Sequence, residues 1–237
     1  MKSGRLEIGL QQSLRIREEH LSREPHACRI LYVSDIHLRR RRSRDLADQI
    51  IAAVQQAAPH AVLLGGDLVD QASELENLSE LVDRLCRIAP VFAVGGNHDS
   101  HVGLHPVRDA ILNGGGKWIH TDTEVFAHDG RTITISGPEA STAFSTNGHV
   151  RILCAHNPRI WRTVRESGYD LVLAGHLHGC QLVAFEFRDR LYPGAIFYPY
   201  CYLTHQCGST TLVVSRGVSD LIPVRWRCPR EVVLCHV

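Results

Sequence analysis

Three apolar runs, residues 30–34, 61–66 and 91–96, are each followed at once by a polar side chain: Asp35, Asp67 and Asn97. Between them lie two stretches with apolar residues at helical spacing. Leu46, Ile50, Ile51 and Val54 mark a helix over 43–58, with Ser43 as its N-cap and Pro59 as its stop. Leu75, Leu78, Leu81, Val82, Leu85 and Ile88 mark a second over 72–88, followed by Pro90. Buried strands alternating with amphipathic helices leave little choice besides a parallel sheet with right-handed crossovers. Open sheets of this kind collect ligands beyond the carboxyl ends of their strands. The three polar residues fall there.

After a short helix over 104–113 and three glycines, the pattern changes to short strands. They are read at 118–121, 124–128, 132–136 and 150–155, with Asp129-Gly130 as the clearest turn. A helix over 158–167 leads to a strand at 171–175, and further strands are read at 181–187, 210–215 and 231–236. Two sheets with helices outside them is the simplest packing of this α/β chain. Residues 1–27 read as an N-terminal extension in which Leu6, Ile8 and Leu10 alternate as one edge strand. Residues 28–237 read as one domain.

No apolar stretch approaches the ~18–20 residues of a membrane span, and no hydrophobic leader precedes the domain. The eight cysteines include no Cys-x-x-Cys pair, and several lie in strand-like runs. Free, buried thiols in a reducing compartment follow, so the expected location is cytoplasmic. Residues 1–44 carry eleven Lys/Arg against five Asp/Glu, with Arg39–Arg44 the most basic stretch. That stretch is either a solvated loop or a patch for an anionic substrate, a lipid surface or nucleic acid.

Five short motifs carry the chemistry: Asp35-Ile-His37, Gly66-Asp67-Leu-Val-Asp70, Gly96-Asn97-His98-Asp99, His156 before Asn-Pro, and Gly175-His176-Leu-His178. Each alone is a common turn or surface pair; together, in this order, they supply a mixed carboxylate, imidazole and amide donor set. Two metals about 3.5–4 Å apart can clamp a phosphoryl group and supply hydroxide at neutral pH. Asp67 is the candidate bridge. Asp35, His37 and His178 would complete one metal, and Asn97, His156 and His176 the other.

The set resembles the calcineurin-like metallophosphoesterase superfamily, all five of whose motifs match. The resemblance implies a four-layer α/β/β/α sandwich with a dinuclear site at the carboxyl ends of the strands, and the ligand division just given. It also implies that His98 contacts the phosphoryl and leaving groups, and it leans toward Mn; the donor set also suits Fe or Zn. The stretch from Gly175 to Gln181, with Val214-Ser-Arg-Gly217, Pro223-Val-Arg225 and Pro229-Arg-Glu231, is similar to a bacterial phosphodiesterase branch. That branch includes membrane-associated and UDP-diacylglucosamine-hydrolysing members. Leu177 and Cys180 depart from its Gly-His-Thr-His-Gly-Gly-Gln box. Gly-Asn-His-Asp departs from the Gly-Asn-Arg-Asp of the lipid A hydrolases.

The expected enzyme is a phosphodiesterase or pyrophosphatase acting on a small or lipid-linked anionic phosphoester. His98 is the expected acid, Asp99 orients it, and Asp70 braces a loop or a ligand imidazole. The competing readings are a nuclease, disfavoured because no added domain or aromatic groove accompanies the arginines, and a non-enzymatic scaffold, disfavoured by intact ligand positions. Peripheral contact with the inner membrane is the partner expectation, and no obligate protein partner is evident. Phe197, Tyr198, Tyr200 and Tyr202 are either core or the lining of an apolar substrate pocket.

Overall fold

The computed structural model describes residues 6–8, 13–22, 27–39, 42–141 and 150–237. The first half contains β1 (Leu6–Ile8), β2 (Arg15–His20), β3 (Arg29–Val33), α1 (Ser43–Ala57), β4 (Ala61–Gly65), α2 (Leu75–Cys86) and β5 (Val91–Val94). α3 (Asn97–Val102), α4 (Leu104–Asn113), β6 (Lys117–Trp118), β7 (Thr123–His128) and β8 (Arg131–Ser136) follow. The second half contains β9 (Val150–Cys154), α5 (Trp161–Val164), β10 (Leu171–Ala174), β11 (Phe185–Phe187), β12 (Arg190–Tyr192) and α6 (Gly194–Phe197). It ends with β13 (Thr204–Cys207), β14 (Thr210–Val214), β15 (Val224–Trp226) and β16 (Glu231–His236).

Two six-stranded sheets form the centre. One runs β2-β16-β3-β4-β5-β6, with β3 through β6 parallel; the other runs β13-β14-β10-β9-β8-β7, with β14, β10, β9 and β8 parallel. Strand alternation sorts the apolar side chains into layers. Leu31, Val33, Val62 and Leu64 pack against α1, α2 and α4. Ile30, Tyr32 and Leu63 face Ile135, Ile152 and Leu173 of the second sheet. Val172 and Ala174 turn outward onto Trp161 and Val164 of α5. Three buried interfaces thus separate four layers, helix, sheet, sheet and helix, as the resemblance implies.

Several local expectations change. Ser43 is the first helical residue rather than the N-cap, and its hydroxyl donates to Glu74 Oε2 at 2.6 Å. The helix expected over 158–167 is a 3-10 turn at Pro158–Ile160 followed by the single turn α5. Residues 181–184 leave the expected strand: Gln181 is left-handed, and Val183 donates to the Trp226 carbonyl instead. The N-terminal edge strand of the first sheet is β2, parallel to β16, whereas Leu6–Ile8 pairs antiparallel with β15. Leu10 lies outside the described residues. All eight cysteines are free, as expected, and Cys201 Sγ lies 3.2 Å from Cys180 Sγ.

Candidate metal centre

The loops after β3, β4, β5, β9 and β10 converge where the two sheets meet. Asp35 and His37 leave β3, Asp67 leaves β4, Asn97 and His98 open α3 beyond β5, His156 follows β9, and His176 and His178 follow β10. The first two loops are zipped together: Asp35, His37 and Leu38 amides donate to the carbonyls of Gly66, Asp67 and Leu68 at 2.9–3.0 Å. Asp35, His37, Asp67, His176 and His178 all hold left-handed backbone, with φ between 48° and 71°. For residues with a Cβ this costs about 1 kcal/mol or more each. Such strain persists where the surroundings over-determine it, and it gathers at functional sites. Close approach also dictates glycine. A Cβ at Gly96 would lie 2.2 Å from Asp67 Oδ1, and one at Gly175 would lie 2.5 Å from Asp35 Oδ2.

Two side-chain groups result, with ligand atoms clustered as Asp35–His37–His178 and Asp67–His156–His176. In the first, His37 Nε2 lies 3.3 Å from His178 Nε2, and His178 Nε2 lies 3.6 Å from Asp35 Oδ1. In the second, His156 Nε2 lies 3.0 Å from Asn97 Oδ1, 3.1 Å from His176 Nδ1 and 3.1 Å from Asp67 Oδ2. Asp67 Oδ2 is also 3.8 Å from His37 Nε2, so this one oxygen stands between the groups.

The other ring nitrogens decide what these close approaches mean. His37 Nδ1 donates to Asp70 Oδ1 at 2.7 Å, His178 Nδ1 to the Ser219 carbonyl at 3.0 Å, and His156 Nδ1 to the Gly65 carbonyl at 2.9 Å. A neutral imidazole with a proton on Nδ1 presents a lone pair at Nε2. Where the rings are neutral, the inward-facing atoms are acceptors pointing at acceptors, and a cation between them would satisfy the set. Outer partners on carbonyls and carboxylates are also how metal-bound histidines are fixed. The residues fit a pair of divalent cations.

Without a cation, the carboxylates and imidazoles of the centre shift one another's charge. Burial opposes charge on Asp35, yet the facing His178 and His156 rings and the Ser34 hydroxyl hold its carboxyl below the ordinary range. Burial likewise opposes charge on Asp67, but the His156 contact and the His98 amide hold its carboxyl well below the ordinary range. Burial alone would lower His156; Asp67, Asp35 and the Gly65 carbonyl push it up to about 9. Burial, with His37 and Arg225 nearby, pulls His178 down to about 4 despite Asp35.

His98 is half-exposed at the rim, its amide on Asp67 Oδ1 at 2.8 Å and its Nδ1 donating to Asp70 Oδ1 at 2.9 Å. The carboxylate that orients it is thus Asp70, which holds His37 through the same oxygen. Asp99, expected in that place, turns the other way. It is fully buried and accepts from the amides of Gly96, Leu68 and Val69 at 2.9–3.1 Å, tying the α3 start to the Asp67 loop. Arg225, which the sequence reading left without a role, is buried and donates to the Ser219 carbonyl at 2.6 Å, the same carbonyl that orients His178. Its signal was the Pro223-Val-Arg225 motif. Phe197 and Tyr198 point outward, while Tyr200 and Tyr202 pack beside Trp161.

Residues 28–180 match the family model for the calcineurin-like phosphoesterase domain. Phosphodiesterase YaeI of Escherichia coli is 29% identical over 232 residues, covering 88% of this chain and 82% of that protein. YpbG of Bacillus subtilis is 30% identical over 166 residues, covering 65% of this chain and 62% of that protein. Among solved structures, TT1561 of Thermus thermophilus shares the fold with a TM-score of 0.51 at 12% identity, over 82% of this chain and 90% of that one. With the five motifs gathered where the strand ends of the two sheets meet, the chain belongs to the calcineurin-like phosphoesterase family and is an enzyme of phosphoester hydrolysis.

Proposed function

We propose that the chain is a phosphodiesterase that works with two divalent metal ions, on a small or lipid-linked anionic substrate. The observation that carries this reading is the convergence of acceptor atoms on both sides of Asp67 Oδ2. Asp35, His37, Asp67 and His178 would hold one ion, and Asp67, Asn97, His156 and His176 the other. Bound there, two divalent cations polarise the phosphoryl oxygens and supply a nucleophile at neutral pH. The donor set has imidazole, carboxylate and amide oxygen without thiolate, which suits Mn first, then Fe or Zn.

The protein's own part is positioning and proton transfer. The Asp67 loop fixes the His98 backbone, and Asp70 fixes the proton on its Nδ1. The other ring nitrogen is left for the leaving oxygen, to which it gives a proton as the ester bond breaks. Asp70 orients the ring for this role, and Arg39 lies 3.9 Å from the opposite oxygen of Asp70. The name of the YaeI protein supports a diester over a monoester. Among the described residues no helix is long and apolar enough to cross a membrane, and eight free thiols fit a cytoplasmic setting.

The test is hydrolysis of an aryl phosphodiester and the matching monoester after chelation and after return of Mn, Fe or Zn. Activity on the diester that vanishes with chelation and returns with metal is expected. His98→Asn should then lower kcat roughly 10²–10⁴-fold with an alkoxide leaving group, and less with a nitrophenolate that needs no proton. Full activity after exhaustive chelation, or equal loss with both leaving groups, would contradict the proposal.

A further inference from the structure

All the large apolar side chains that are exposed among the described residues, apart from Leu112 and Val125, lie in four segments around the C-terminal side of the centre. The β1–β15 ribbon is built inside out. Leu6 lies opposite Trp226 and Ile8 opposite Val224, and Leu6, Ile8 and Trp226 are exposed, whereas the facing pair Glu7 and Arg225 is buried. Beside it, Val183 donates to the Trp226 carbonyl and Ala184 to the Tyr192 carbonyl, which joins the ribbon to the β11–β12 hairpin. Phe185 and Phe187 are exposed there, with Phe185 stacked on Tyr192 at 4.8 Å. Arg190 Nη2 donates to the Ala195 carbonyl at 3.0 Å, which ties on α6, where Ile196 and Phe197 are 69% and 74% exposed. Finally, the Gln181 side chain bonds the backbone of Leu221, Ile222 and Val224, so the exposed Leu221 and Ile222 stand next to the Ser219 carbonyl that holds His178.

We propose that this surface is a docking face for an anionic lipid membrane, set at the rim of the metal centre. A face that places several large apolar groups together in water marks an interaction site, and here its charges choose the occupant. The Arg188 guanidinium lies over the Phe187 ring at 5.2 Å and that of Arg227 over Trp226 at 5.9 Å. Aromatic anchors beside cations suit the boundary between headgroup and acyl chain. Arg39 extends the basic rim, its Nη2 donating to the Asp220 carbonyl. Glu186, by strand alternation, faces away from Phe185 and Phe187. A second copy of the chain packed face to face would set these arginines against one another; anionic headgroups would not.

The face does no chemistry, so its test needs no turnover and stands or falls apart from the hydrolytic reading. The full chain is sedimented with vesicles of equimolar phosphatidylglycerol and phosphatidylcholine, and with phosphatidylcholine vesicles alone. Binding to the anionic vesicles is expected, weakened but not abolished by salt. Phe187→Ser combined with Phe197→Ser should lower partitioning about 10-fold or more while leaving hydrolysis of a soluble diester unchanged. In the wild-type chain, brominated acyl chains should quench a fluorescence component that Trp226→Phe removes. Absence of vesicle binding by the wild-type chain would overturn the proposal, as would binding without quenching of Trp226. A dimer that the serine variants dissociate, with no vesicle binding, would assign the face to self-association instead.

Discussion

Asp70 and Asp99 lie on the same side of the centre and have opposite jobs. One Asp70 oxygen accepts hydrogen bonds from both His37 and His98, so its charge is coupled to a proposed ligand and to the proposed acid. Asp70→Asn keeps the shape and loses the charge. It should lower kcat ~10–100-fold, with a change in stability under about 1 kcal/mol; steady-state kinetics and thermal unfolding separate the two. Asp99 instead satisfies three buried amides. Asp99→Ala leaves those donors without a partner and should cost at least ~1–3 kcal/mol of stability, read as a lower melting temperature. Sequence spacing pointed to Asp99 because it adjoins His98. On α3, however, neighbouring residues diverge by about 100°, and the loop that reaches His98 comes from β4.

At the scale of elements, Glu231 joins both chain ends to the centre. Buried at the start of β16, it accepts from Arg17 of β2 and from the Arg216 amide and guanidinium in the loop that leads to Ser219. Glu231→Gln leaves two arginines facing a neutral amide, and a loss of about 3–5 kcal/mol is expected in denaturant unfolding. Burial opposes the Glu231 charge, but the two arginines hold its carboxyl below the ordinary 4.5. The stability it contributes is therefore complete above that value and drains away as pH falls toward the folded one. Wild type should lose stability in that acid window more steeply than the glutamine variant. The strands most legible in the sequence are β3, β4, β5 and β10, buried on both faces and continuously apolar. β2 reads Arg-Ile-Arg-Glu-Glu-His, and its partner is more than two hundred residues away. An edge strand leaves no apolar run, so nothing local announced it. The proposed metal ligands were legible for a different reason: five motifs, each a common turn or surface pair alone, occur together in one order after apolar strands. The contact of Arg225 with the Ser219 carbonyl was not, because carbonyl geometry is invisible in side-chain pattern.

For the whole molecule, β2 makes the N-terminal segment part of the first sheet. A chain beginning at residue 28 would bare the β16 edge and remove Arg17 from Glu231. We expect it to unfold at lower temperature and to aggregate through the open edge, measured by melting and light scattering against the full chain. The left-handed backbone at five proposed ligand positions reaches the whole molecule as well. Chemistry and folding make opposing demands there. A variant that abandons hydrolysis is free to relax: His176→Gly should raise the melting temperature of the metal-free protein, by up to about 1 kcal/mol of stability, while abolishing turnover. A substitution library scored for abundance would then favour glycine and asparagine at those positions, and one scored for hydrolysis would reject them. Descendants of this chain that drift out of catalysis would be expected to become sturdier as they lose it, with the first erosion at the tips of β3, β4 and β10.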